Sequence, residues 1–225
     1  MDPQWPGAYC EQNKAGCCKP STGVSPALDF YISGFTVYNA TTGEPVTGCN
    51  NNTPFDPNKI SGIQGLDQYW SNIKCPSNNG RSSWKNAWKK SGVCSGLEEK
   101  EFFQAALSFR SRLNPLVRLK AKGIEPDFGL YGVKAIQNVF KSGVNATPLV
   151  QCSMGPSPFG KYQLYQLYFC ASEKGTFIDC PTMEYEHTCP AKEIIFHPFQ
   201  KWMLKQSSSA AAYDAFVLPG VAMDA

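Results

Sequence analysis

The chain has 225 residues, 42% hydrophobic and 13% aromatic, enough for one packed domain or at most two and too apolar for a disordered chain. Charged residues make up only 17% and the net charge is +3, a balance with no strong pull toward nucleic acid or an anionic membrane. No apolar run reaches the roughly 18 residues a membrane-spanning helix needs. Ten cysteines and only two histidines stand out.

The cysteines lie at 10, 17, 18, 49, 75, 94, 152, 170, 180 and 189. An even number in a chain of this size points to disulfides and an oxidising compartment. A zinc site would need Cys-x-x-Cys knuckles or Cys/His clusters, and adjacent Cys17 and Cys18 do not readily serve one tetrahedral ion. No metal or other cofactor is therefore expected, and spacing leaves the pairings open. Asn39, Asn51 and Asn145 head Asn-x-Ser/Thr sequences and are glycosylation candidates. No signal peptide is visible, so either a leader has been removed or the reading frame starts late.

In chain order, residues 1–26 are rich in Cys, Pro and Gly and read as stapled loops. Leu28–Val37 reads as a buried strand and residues 39–59 as a long loop. Ile60–Ile73 has helical spacing through Ile63, Leu66 and Tyr69-Trp70. Ser83–Lys90 reads as a short helix with Trp84 and Trp88 on one face. A longer helix opens at Ser95, where Ser95 and Glu98 fit a capping box. It carries Phe102, Ala106, Phe109 and Leu113 toward the core, and Pro115 should kink or end it. Gly132–Lys141 is a third helix, with Gly143 as its stop. After Pro148 the pattern turns to strands: Leu149–Ser153, Tyr162–Ala171, Thr176–Cys180 and Glu193–Phe196, the second central because aromatics face both ways. The fold class predicted is α+β, an antiparallel sheet packed with several helices. Residues 1–205 read as a single domain and 206–225 as a flexible tail, with a C-terminal sorting propeptide as the functional alternative.

The residues offer no assembled acid–base site. His187 sits between cysteines beside Glu184 and Glu186, and His197 ends the last strand; both read as structural. Glu98, Glu99 and Glu101 suit a helix start better than a pair of catalytic carboxylates. No phosphate loop, nucleophile elbow or dinucleotide fingerprint occurs.

An ordered set of short motifs says more. Gln4-Trp5-Pro6-Gly7, Tyr9-Cys10 and Cys17-Cys18-x-Pro20 resemble the opening of the ribonuclease T2 family, which includes the plant S-like and self-incompatibility ribonucleases. The resemblance continues through Asp29-Phe30, Ile32, Gly34, Trp84, Trp88, Gly92, Cys94, Gln151-Cys152, the Gln163–Cys170 segment and Ile178-x-Cys180-Pro181. It covers roughly residues 4–200 and implies the bridges Cys10–Cys17, Cys18–Cys75, Cys49–Cys94, Cys152–Cys189 and Cys170–Cys180. Relatives carry a strand before the Gln-Trp-Pro-Gly turn. Only Met1–Pro3 remain for it, so either the chain is short at this end or the sheet lacks that strand.

The departures fall on the family's active site. Its Ile-His-Gly-Leu-Trp-Pro motif stands here as Ile32-Ser33-Gly34-Phe35-Thr36-Val37. Its Trp-x-His-Glu-Trp-x-Lys-His-Gly-Thr-Cys motif stands as Trp84-Lys85-Asn86-Ala87-Trp88-Lys89-Lys90-Ser91-Gly92-Val93-Cys94. Ser33, Asn86 and Ser91 replace the histidines, Ala87 replaces the glutamate, and Lys90 alone survives of the charged set. Such enzymes activate a ribose 2′-hydroxyl and protonate the leaving 5′-oxygen, work that needs groups titrating near the working pH. The resemblance therefore implies a catalytically inactive relative with vestigial positions Ser33, Asn86, Ala87, Lys90 and Ser91. Histidine-deficient relatives that accumulate in storage roots and rhizomes, in bindweed and ginseng, suggest a plant vegetative storage protein in the secretory pathway, extracellular or vacuolar. The alternatives are a nucleotide- or RNA-binding module, with Gln4 toward a base and Lys90 toward phosphate, and a very weak endoribonuclease. No obligatory partner and no membrane association are expected.

Overall fold

The computed structural model describes residues 1–12, 16–20, 27–49, 53–75, 80–155, 160–180 and 188–205. His187, Asn51 and the segment 206–225 lie outside the described residues. In chain order the elements are β1 (Asp2–Gln4), α1 (Pro6–Gln12), β2 (Cys17–Cys18), β3 (Tyr31–Gly34), α2 (Leu66–Tyr69), α3 (Arg81–Lys90), α4 (Glu99–Leu113) and α5 (Pro115–Lys120). They continue with β4 (Leu130–Gly132), α6 (Val133–Val144), β5 (Leu149–Met154), β6 (Tyr162–Tyr168), β7 (Cys170–Ala171), β8 (Phe177–Ile178), β9 (Glu193–Ile195) and β10 (Leu204–Lys205).

The main sheet has six strands in the order β3-β1-β6-β9-β4, with β5 also paired to β6. The predicted α+β class holds, and β6 is central as the two-faced aromatics require. The sheet is not wholly antiparallel: β6 and β9 run parallel through Gln163 and Ile195, and the outlying pair β2–β10 is parallel too. All five bridges implied by the resemblance are present, as Cys10–Cys17, Cys18–Cys75, Cys49–Cys94, Cys152–Cys189 and Cys170–Cys180.

Several boundaries differ from the sequence expectation. Residues 1–26 are not all loop. Asp2–Gln4 pairs with β3 on one side and β6 on the other, so the sheet keeps a strand before the Trp-Pro-Gly turn. Pro6 then opens α1 at the first helical position, where its missing N–H costs nothing. The helix expected over Ile60–Ile73 shrinks to Leu66–Tyr69, because Gly62 and Gly65 both take positive φ, 75° and 86°. The cap of α4 is Glu98, whose N–H donates to Glu101 Oε2 at 3.1 Å; Ser95 instead bonds to Gly92 O and Leu97 N. Pro115 ends α4 and starts α5, across Asn114 at φ 39°. α6 runs past Gly143 and stops at left-handed Asn145. The strand expected over Leu28–Val37 is the four-residue β3, and Tyr162–Ala171 divides into β6 and β7.

Two apolar clusters hold the layers together. The larger lies against the sheet and is centred on Trp5, Phe30, Phe140, Leu164, Leu167 and Phe196. Trp5 is 1% exposed, its ring centroid 5.0 Å from Phe30 and 4.9 Å from Phe196, and its Nε1–H donates to His197 O at 2.6 Å. A Cβ on Gly7 would collide with that same indole, which is why the turn after Trp5-Pro6 needs glycine. The smaller cluster joins Ile32 of β3 to Trp70, Trp84, Trp88, Phe102 and Phe103. Trp84 and Trp88 lie one turn apart on α3, so one face of that helix is fixed against β3 and α4.

At the start of α4, Glu99 is only 2% exposed, and both its carboxylate oxygens accept Asp56 N–H at 3.1 Å. Burial pushes its pKa above the ordinary 4.5, and the hydrogen bond from Asp56 partly opposes this. The folded state therefore holds the proton more tightly than the unfolded chain. This contribution is fully present below the unfolded pKa and is lost as pH rises through the folded one. Glu99→Gln is expected to remove that decline, so urea melts at a series of pH values should show the variant gaining on the wild type from acid toward neutral pH. Parallel curves would show that Glu99 does not carry this dependence.

Candidate functional site

β1 and β3 lie side by side in the register Asp2–Gly34, Pro3–Ile32 and Gln4–Tyr31. Ser33 is the extra residue between Gly34 and Ile32, a β-bulge. A second bulge places Tyr165 between the Gln151–Gln166 and Cys152–Leu164 pairs. Since Gln4 pairs with Gln166, the two bulges flank the same short strand. Bulges re-aim side chains and concentrate beside functional sites, and a cleft opens here.

The cleft encloses about 150 Å³. Gln4, Ser33, Ser71, Asn72 and Ser83 supply its polar lining, and Tyr9, Tyr31 and Trp70 its rings. Ser33 Oγ donates to Asp2 O at 2.8 Å. Asn72 Oδ1 accepts Lys74 N–H at 3.0 Å. Ser71 is 9% exposed and its Oγ has no hydrogen-bond partner. The Tyr31 hydroxyl donates to Ala27 O at 3.0 Å, and burial, reinforced by Asp29, drives its pKa upward. Burial likewise raises Tyr165, whose hydroxyl is hydrogen-bonded by the Gln4 side chain. Tyr31 and Tyr165 stay neutral, and no Asp, Glu, Lys, Arg or His is among the lining residues.

The cleft gathers Gln4 and Ser33 of the positions singled out in the sequence, and α3 adds Ser83. Asn86, Ala87, Lys90 and Ser91 do not line it. Asn86 and Lys90 are exposed on α3, while Ala87 is half-buried against the Trp84–Trp88 cluster. Ser91 follows the helix as its C-cap, is 3% exposed, and its Oγ accepts Val37 N–H at 2.6 Å. Gly92 follows because a Cβ there would enter the Trp88 ring. His197 is remote from this arrangement: its Nε2 lies 3.2 Å from Glu11 Oε1 and its ring stands edge-on to Phe128. It ties the end of β9 to Glu11 of α1. Sequence reasoning missed Ser71, Asn72 and Ser83. The one signal for the first two is a polar pair between Trp70 and Ile73, both buried.

Among the described residues, no helix is long and apolar enough to cross a membrane, and no group of three or more His, Cys, Asp or Glu side chains could hold a metal. Comparison with known proteins agrees with the geometry. The chain is 36% identical over 192 residues to the intracellular ribonuclease LX of Solanum lycopersicum, covering 84% of this chain and 79% of that protein. It is 32% identical over 187 residues to a ribonuclease-like storage protein of Panax ginseng, covering 80% and 73%. The crystal structure of RNase NT in complex with 5′-AMP superposes with a TM-score of 0.78 at 35% identity, covering 88% of this chain and 96% of that one. The Ribonuclease T2 family profile matches residues 1–180. With its bulged strand pair and five bridges, the chain belongs to the ribonuclease T2 family.

Proposed function

We propose that the protein is a catalytically inactive member of this family that serves a plant as a vegetative storage protein. The observation that carries this reading is the side-chain chemistry at the vestigial positions. Ser33, Asn86, Ala87 and Ser91 hold no group that exchanges a proton near neutral pH, and the cleft lining adds none. Lys90 supplies positive charge, but charge stabilisation without proton transfer leaves both difficult steps of RNA cleavage unassisted. The ginseng storage relative shows that the family accommodates such a role. The tomato relative is named a ribonuclease, so the reading rests on these residues and not on kinship. Five disulfides suit a protein that must persist in an oxidising secretory compartment, extracellular or vacuolar. On this reading residues 1–205 are the functional domain, and a sorting role for 206–225 is the alternative that goes with a vacuolar destination. The test is protein abundance through a growth cycle: accumulation in dormant storage tissue and loss on sprouting are expected, and a low constant level would sink the storage role.

A second reading, a nucleotide-binding module, is favoured by one observation: the unpartnered Ser71 Oγ beside Asn72 and Gln4 in the cleft. A buried hydroxyl without a partner costs free energy that a ligand's polar edge would recover. RNase NT holds 5′-AMP. Titration with 5′-AMP is expected to move the amide resonances of Gln4, Ser71 and Asn72, and Ser71→Ala to weaken the response. Unmoved resonances at millimolar nucleotide would exclude binding.

A further inference from the structure

The charge of the chain is unevenly placed. Between Asp67 and Glu98 lie five cations, Lys74, Arg81, Lys85, Lys89 and Lys90, and no Asp or Glu. The whole chain has a net charge of +3, so everything outside that stretch carries −2. All five cations are exposed, and four of them stand on α3. None of Lys74, Lys85, Lys89 and Lys90 belongs to an ion pair of the described residues.

The helix sorts these side chains into a ridge. Trp84 and Trp88 hold its inner side in the smaller apolar cluster. On the outer side Arg81, Lys85 and Lys89 follow at four-residue steps, each about 6 Å along the axis. Ser82, Asn86 and Lys90 form a second row beside them, and all six side chains are exposed. Lys89 and Lys90 suit the negative end of the helix dipole. Arg81 stands at the positive end with no acid in the first turn, and cations one turn apart repel. Arg81 also feels Asp67, whose pKa burial raises and Arg81 partly draws back. The helix's own stability therefore does not account for the row.

The surface chemistry narrows the partner. A row of fixed cations fits a polymer with repeating negative charge. Single-stranded nucleic acids add stacking of bases on exposed rings. The rings of α3 are turned inward, Trp84 at 5% and Trp88 at 3% exposure, so bases along the ridge would find charge and nothing to stack on. An anionic bilayer takes up apolar side chains between the cations, and the exposed side of α3 offers none. Ser82 and Asn86 instead offer hydroxyl and amide groups between the charges, the partners that sugar hydroxyls need.

We infer that the outer face of α3 binds an acidic polysaccharide, a chain of saturated sugar rings bearing carboxylates. The carboxylates lie along Arg81, Lys85 and Lys89, and the ring hydroxyls meet Ser82 and Asn86. The inference presupposes the extracellular destination, where such a polymer is met. It goes beyond the storage reading and does not use the cleft.

The full chain, secreted behind a leader sequence with its disulfides formed, is to be run at low salt over immobilised polygalacturonate. The fully methyl-esterified polymer and poly(U) are run alongside. Retention on polygalacturonate and none on the esterified polymer are expected. Lys85→Gln with Lys89→Gln should weaken binding at least about tenfold, by removing two counterion-releasing contacts. Glutamine is a good helix former, so urea melts should show the fold kept. Lys161→Gln with Lys192→Gln removes the same charge from exposed positions off α3 and should bind nearly as the wild type. In the wild type, galacturonate oligomers should move the amide resonances of Ser82, Lys85, Asn86 and Lys89, which holds whether or not a variant folds. No retention of the wild type, unmoved resonances on α3, or equal loss in both variant pairs overturns the inference. Tighter binding to poly(U) than to polygalacturonate overturns it in favour of RNA.

Discussion

Incubated with RNA beside an active plant relative, the protein is expected to cleave at least about 10⁴-fold more slowly. Each missing proton-transfer group costs about 10²–10⁴-fold, and groups that act as a unit do not combine multiplicatively, so the figure is a floor taken from the larger single loss. Ser33 Oγ is committed as a donor to Asp2 O, and Tyr31 and Tyr165 beside the cleft are held neutral by burial. Neither can take a 2′-hydroxyl proton or return one to the leaving oxygen. The control is a set of variants. Any residual cleavage that survives Ser33→Ala and Lys90→Ala unchanged belongs to a contaminant. Ser33→His alone should restore nothing, because one histidine cannot be both base and acid in the same step. A purified rate within about 100-fold of the active relative, sensitive to those variants, would refute inactivity.

Replacing Arg110 with methionine is expected to lower unfolding free energy by about 1–3 kcal/mol, because it leaves half-buried Asp29 without its countercharge. Arg110 is 5% exposed. Its Nη2 meets Asp29 Oδ2 at 2.5 Å, its guanidinium lies 3.8 Å from the Tyr69 ring centroid, and its Nε–H reaches Phe30 O at 3.4 Å. One side chain of α4 thus ties together the approach to β3 and the end of α2. A small domain has only about 5–15 kcal/mol in total, so the loss should be plain in urea melts with the disulfides intact. Combining Arg110→Met with Asp29→Asn should recover part of it, since the isolated charge is then gone while an oxygen remains for Phe30 N–H. A single-variant cost below about 1 kcal/mol would mean the pair behaves as an exposed one.

Legibility in the sequence followed the range of the interactions. Trp84 and Trp88 declare α3 because their spacing is local, and the aromatics of β6 declare a central strand for the same reason. The run Ile60–Ile73 misleads because apolar spacing outweighs Gly62 and Gly65 on paper, whereas their positive φ decides the backbone. Asp2–Gln4 is too short to announce a strand and becomes one only because β3 and β6 lie on either side. The disulfide pairing came through kinship and not through spacing. The cleft shows the same division. Gln4 and Ser33 were found because a motif marks them, but Ser71 and Asn72 enter through tertiary packing. The motif resemblance marks Ser91 but cannot show its bond to Val37.

That bond gives the history of the site a direction. In this chain the Ser91 hydroxyl is a structural acceptor for an amide of the neighbouring loop, at 2.6 Å and nearly out of reach of water. A reversion to histidine at 91 would meet a site already let to another tenant. The Val37 amide would lose its partner, at a cost of about 1–3 kcal/mol, and the reversion would yield no activity until positions 33 and 86 changed as well. That step back is penalised and, on the inactive reading, not rewarded. On the inactive reading proposed above, one buried hydrogen bond, from Val37 N–H to Ser91 Oγ, makes the return of a catalytic histidine at 91 costly.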